Sequence, residues 1–177
     1  MEQRMAGQIR LFARTAISVC TILALYPVRA DPGDKAGWSV SIDPRKRAFL
    51  YYVPAMDDAR VLTIGCLRDV DNFTIVSSGL KIGVKSDAAA TLRLSSGVAQ
   101  YAVDGTVETD QVVGTQTFNI DIDADATGVR KIVGHLLPVL ESTAPITLSV
   151  GAAELTLPIS GLAQSLSRFK RVCLGDR

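Results

Sequence analysis

The run best suited to chemistry is Asp121-Ile122-Asp123-Ala124-Asp125-Ala126-Thr127-Gly128, which sets oxygen-bearing side chains at alternate positions. Hard cations such as calcium are held by ligands of this kind. Asp123, Asp125, Thr127 and Gly128 fit positions one, three, five and six of a twelve-residue calcium loop. The fit then ends. Arg130 stands at the eighth position, where an apolar residue belongs, and Gly134 at the twelfth, where a bidentate glutamate closes the shell. The run is therefore expected to be a strand leading into a helix N-terminus, where carboxylates favour the helix dipole. Whether Asp121, Asp123 and Asp125 bind a cation stays open at the level of sequence.

No other residue set commits the chain to a reaction. His135 is the only histidine and sits beside an apolar helical face, next to Leu136. A nucleophilic triad needs an elbow such as GxSxG, and none is present. A zinc site needs further nitrogen or sulfur ligands. His135 is expected to be a surface or boundary residue. Carboxylate-pair catalysis would draw on Asp57, Asp58, Asp69 and Asp71, all in expected turns where solvated acids normally sit. The chain has no phosphate-binding loop, dinucleotide fingerprint or haem-attachment motif. Neither a catalytic residue nor a cofactor is assigned.

These residues are expected to work outside the cytoplasm. Arg4, Arg10 and Arg14 form a basic start, and the uncharged run TAISVCTILALY spans Thr15 to Tyr26. Pro27 follows, and Val28-Arg29-Ala30 places small residues where a signal peptidase cuts. An apolar run this short falls well below the roughly twenty residues that cross a bilayer. Residues 1–30 therefore read as a signal peptide, leaving no stable membrane span after cleavage. Val19 before Cys20 argues against a lipoprotein site. Residues 31–177 read as a single β-rich domain, long enough for a proper core. That part carries fifteen Lys/Arg against seventeen Asp/Glu. Near-neutral charge with both signs mixed gives no footprint for nucleic acid. Arg45-Lys46-Arg47, beside Pro44, reads as a solvated turn rather than a phosphate or anionic-lipid patch.

Two cysteines remain, Cys66 and Cys173. In an oxidising compartment an even pair in a small domain usually bonds. They are expected to form a disulfide tying a central strand to the C-terminal segment.

Periodicity indicates what must position these residues. Alternation marks strands at Trp38 to Ile42, Ala48 to Val53, Val61 to Leu67, Asn72 to Val76 and Thr117 to Ile122. Leu80-Ile82-Val84 and Leu92-Leu94 are weaker runs. Val98 to Val103 and the residues from Thr106 onward read as a hairpin turning at Asp104-Gly105, the dipeptide of a type I′ turn. Of the aromatics Phe49, Tyr51 and Tyr52, the last falls on the opposite strand face and is a candidate for an exposed recognition residue. Val129, Ile132, Val133, Leu136, Leu137 and Leu140 have helical spacing, with Asp125 or Thr127 as cap. Pro138 is expected to kink that helix or end it near Leu137. Ile146 to Val150 and Leu155 to Ile159 return to strand period. Ser160 is expected to cap a last helix with Leu162, Leu166, Phe169 and Cys173 facing inward. The fold class is α+β and mainly β: an antiparallel sheet or β-sandwich with two short C-terminal helices.

The segment Leu155 to Cys173, LTLPISGLAQSLSRFKRVC, resembles the end of small secreted proteins of Gram-negative bacteria such as the invasion-associated locus B-like group. There a strand with an "lPlsG"-like turn leads into a short helix. The resemblance covers about nineteen residues, and the richer cysteine pattern of that group is missing. It implies a periplasmic, β-rich, non-enzymatic protein with an envelope or host-interaction role, and it transfers no catalytic residue. The expected function is thus a periplasmic or secreted non-enzymatic protein that binds an unknown protein or envelope component. The alternatives are a small periplasmic hydrolase with loop-borne carboxylates, or a secreted inhibitor or host-interaction factor.

Overall fold

A computed structural model describes residues 36–55, 59–112 and 114–175. The expected leader, 1–30, and the acids Asp57 and Asp58 lie outside the described residues.

Among the described residues, alternating sequence produces nine strands: β1 Gly37–Asp43, β2 Arg47–Val53, β3 Leu62–Leu67, β4 Asn72–Leu80, β5 Ala88–Ser96, β6 Ala99–Thr109, β7 Gln116–Asp123, β8 Ile146–Val150 and β9 Ala153–Leu157. All pair antiparallel in one curled sheet, in the order β1-β2-β3-β4-β7-β6-β5-β8-β9. Of the two expected architectures, this is the single antiparallel sheet with two helices. Its register explains the alternation. Val40, Leu50, Ile64, Ile75 and Ile120 form one inward rung across five strands. Ala48, Cys66, Phe73 and Ile122 form the next, with Ile42 at its exposed end. Leu50, Ile64, Cys66, Phe73 and Ile75 are fully buried. Truncating such a side chain to alanine typically costs about 2–5 kcal/mol.

The expected hairpin at Asp104-Gly105 is not formed. β6 runs straight through both residues, paired with β5 from Ala99 to Val107. Gly105 has no positive φ, which a type I′ turn demands. It is glycine for another reason: a Cβ there would lie 2.6 Å from both the Asn119 carbonyl oxygen and the Phe118 ring. β6 pairs with β7 only from Thr106 to Thr109, and Gly105 marks where the two strands part. The chain reverses instead at Gly97-Val98, between β5 and β6, with Gly97 at φ 58°.

Leu80-Ile82-Val84 splits. Leu80 ends β4, and the residues after it are irregular but anchored. The Gln116 side chain accepts from Gly83 N and donates to Val84 O, while Ile82 is fully buried.

Helix α1 spans Ala126–Leu140 and α2 spans Leu162–Leu174. α1 does not stop at Leu137. Pro138 lies on the exposed side, so the carbonyl of Gly134 that loses its helical donor faces water, and buried Val139 and Leu140 hold the last turn. Ser160 is not the cap of α2. That position is Gly161, in the left-handed region at φ 80°.

α1 packs on β5, β6 and α2, and α2 packs on β1, β2 and α1. The curl brings the first strand against the chain just past the last one: Trp38 Nε1 donates to Pro158 O at 2.7 Å. Ser165 of α2 donates to Trp38 O at 3.1 Å, locking the helix into that seam. Among the described residues no helix is long and apolar enough to cross a membrane.

Candidate functional site

The helical spacing of α2 places Leu162, Leu166 and Lys170 in one row, with Ala163 and Ser167 beside it. This face does not close fully on its neighbours. Between it, the end of α1 and Ile159 lies a cavity of about 370 Å³, whose apolar wall is Leu140, Ile159, Leu162, Ala163 and Leu166. Ser142, Thr143 and Ser167 add hydroxyls. At the rim the Lys170 ammonium meets the Glu141 carboxylate at 2.5 Å, both half exposed.

The walls are fixed at both ends. At its start, α2 is held by the Ser165 and Trp38 hydrogen bonds described above. At its end, Cys173 lies at disulfide-bonding distance from Cys66 in β3, with Sγ–Sγ 1.99 Å and Cα–Cα 5.9 Å. Arg68 also donates to the Val172 carbonyl at 3.2 Å. Glu141 is the C-cap of α1, so its ion pair with Lys170 links the two helices across the cavity mouth.

The residues singled out from sequence lie elsewhere. Asp121 and Asp123 point outward from β7, alternating with Ile120 and Ile122. Asp125 is the N-cap of α1: its Oδ1 accepts from Thr127 N at 3.1 Å and Gly128 N at 2.7 Å. Asp125, not Thr127, takes that role. No group of three or more His, Cys, Asp or Glu side chains able to hold a metal is found among the described residues. His135 is exposed on α1. Asp69 accepts from one edge of the Arg47 guanidinium, Nε and Nη2, at 2.6–2.9 Å, and the pair holds its carboxyl below the usual aspartate range. Asp71 gives its backbone carbonyl to Ala124 N. Tyr101, on the inner side of β6, has its phenol pushed upward by burial. None of these lines the cavity.

Tyr52 is not a surface residue. It is buried on the inner face, with its ring 5.5 Å from Trp38 at 57°. Phe49 and Tyr51 take the outer face, and Arg60 covers Tyr51 with its guanidinium carbon 4.0 Å from the ring centroid. The cavity itself was missed from sequence. Its trace is the pair of small residues, Ala163 and Ser167, flanking the apolar row of α2.

Compared with known proteins, the chain matches no family model, and no curated protein or solved structure matches it either.

Proposed function

We propose that the protein is a non-enzymatic, periplasmic or secreted binding protein, and that its ligand enters the cavity between α1 and α2. The observation that carries this reading is the cavity's build. It has a volume of about 370 Å³, an apolar wall and a single ion pair at the mouth. Ligand sites typically measure about 300–1,000 Å³ and are mostly apolar with a few placed polar groups. The matching ligand is a small amphipathic molecule: an aliphatic or ring body against Leu140, Leu162 and Leu166, and an anionic head that exchanges with Glu141 for Lys170.

The cysteine pair supports the compartment, because disulfides persist where the surroundings oxidise. The segment that resembles the locus B-like proteins, Leu155 to Cys173, forms β9, its turn and α2, and so supplies much of the cavity wall. This favours an envelope component as the source of the ligand.

Titration with 8-anilinonaphthalene-1-sulfonate, an apolar body with one anionic group, tests the reading. A saturable fluorescence rise is expected. Ala163→Trp, which fills the cavity from an exposed helical position, abolishes it while the circular dichroism stays that of the parent. Unchanged probe binding by the filled variant would sink the proposal. The compartment is tested separately, by fractionating the cells and counting free thiols. Cytosolic protein with both thiols free would refute it.

A further inference from the structure

A second cavity, of about 410 Å³, lies at the C-terminal end of α2. Three cations line it, each from a different segment: Lys46 from the β1–β2 turn, Arg68 from the turn after β3 and Arg171 from the last turn of α2. Each segment is held in place. The Asp43 carboxylate accepts from Arg45 N and Arg47 N, and Lys46 sits at φ 62° in the resulting turn. Arg68 donates to Val172 O. Arg171 lies two residues from the bridged Cys173.

The cations outnumber what the fold requires. Positive charge at a helix C-terminus is stabilising, which accounts for Arg68 and for Arg171 on α2. It does not account for Lys46, brought in from the far side of the cleft. Lys46 and Arg171 have no side-chain hydrogen bond or ion pair among the described residues, unlike Arg47, which has Asp69. Arg68 uses one donor on Val172 and keeps the rest of its fork. The only acid in the lining, Asp43, is engaged by two backbone N–H groups. Ile42, 40% exposed, and Val172 give the cleft an apolar side. Three cations against one carboxylate that is already engaged leave the cleft, among the described residues, with an excess of positive charge that suits an oxyanion, and a guanidinium fork fits phosphate geometry.

We infer that this cleft binds a phosphate group carried on an organic body whose apolar part lies against Ile42 and Val172. The site is separate from the α1–α2 cavity and does not depend on its ligand. The phosphate belongs either to a soluble phosphorylated molecule or to a phospholipid headgroup.

The test uses the purified, oxidised protein. Its melting temperature is read against rising inorganic phosphate, with sodium chloride at matched ionic strength and pH. Co-sedimentation is read with phosphatidylglycerol vesicles and with phosphatidylcholine vesicles. A saturable rise with phosphate, or sedimentation with phosphatidylglycerol alone, is expected. Each should be lost in the K46Q/R171Q double variant and kept in R45Q, which alters a neighbouring charge outside the cleft. Phosphate also stabilises proteins by exclusion from their surface, and that effect would persist in the double variant. A phosphate response without vesicle binding assigns a soluble ligand, and vesicle binding assigns a headgroup. The inference is overturned if the double variant responds as the parent does, or if neither probe gives a response beyond its control.

Discussion

Asp69 and Arg47 join the turn after β3 to the start of β2 through a bidentate ion pair at 2.6–2.9 Å. Hydrogen bonding from Arg47 is the main cause of the lowered carboxyl pKa. A depressed folded-state pKa means that the unfolded chain binds the proton more readily. The pair's contribution to stability is therefore complete above the ordinary aspartate value of about 4, and it is lost as pH falls through the lower, folded-state value. Asp69→Asn is expected to melt below the parent by a constant margin at neutral pH. The margin should shrink steadily below about pH 4. Thermal melts of both proteins across the acid range check this, and a margin independent of pH would contradict it. The sequence showed that Asp69 lay in a turn but not that Arg47 would face it, because the partners meet only through the β2–β3 register. The same gap misplaced Tyr52. Alternation separates Tyr52 from Phe49 and Tyr51 but does not say which face is inside. Trp38, opposite Tyr52 on β1, decides it.

Among the elements, those with clean alternation were legible. β1, β2, β3, β7, β8 and both amphipathic helices lie close to where periodicity puts them, because burial of one face is a local property of the sequence. β6 was not. Asp104-Gly105 carries a strong turn signal, yet Gly105 is fixed by its distance to Phe118, a residue of another strand. Gly105→Ala is expected to destabilise the protein by about 1–3 kcal/mol, the usual range for forcing extra volume into a packed site. The clash involves the Asn119 backbone, which cannot swing aside like a side chain. A fall in the guanidinium midpoint at unchanged slope would show it. An unchanged midpoint would mean that β6 can shift away from β7. The α1–α2 cavity was illegible for a related reason. Leu140, Leu162 and Leu166 in its lining read as inward-facing, but unfilled space depends on how two helices settle against each other. Neither helix encodes that alone.

Across the whole molecule the decisive tie is the pair Cys66 and Cys173, whose sequence separation is 107. Removing a cross-link of this span by Cys66→Ser with Cys173→Ser is expected to cost about 2–5 kcal/mol, chiefly through the freedom restored to the unfolded chain. Chemical denaturation of the oxidised parent and the double variant measures it, and equal midpoints would show that the pair is not bonded in solution. The loss should also weaken retention in the α1–α2 cavity, since one anchor of α2 is gone. A mechanical consequence follows as well. Stretched from its two ends, the oxidised chain carries the load from β3 straight across the sulfur link into the last turn of α2. Strands β4 to β9, helix α1 and α2 as far as Val172 sit inside the bypassed loop, off the covalent path of the load. Since an extended chain gains at most about 3.3–3.6 Å per residue, a single oxidised molecule should unravel only as far as its residues outside that loop allow. A reducing agent would release the remaining length in a further step.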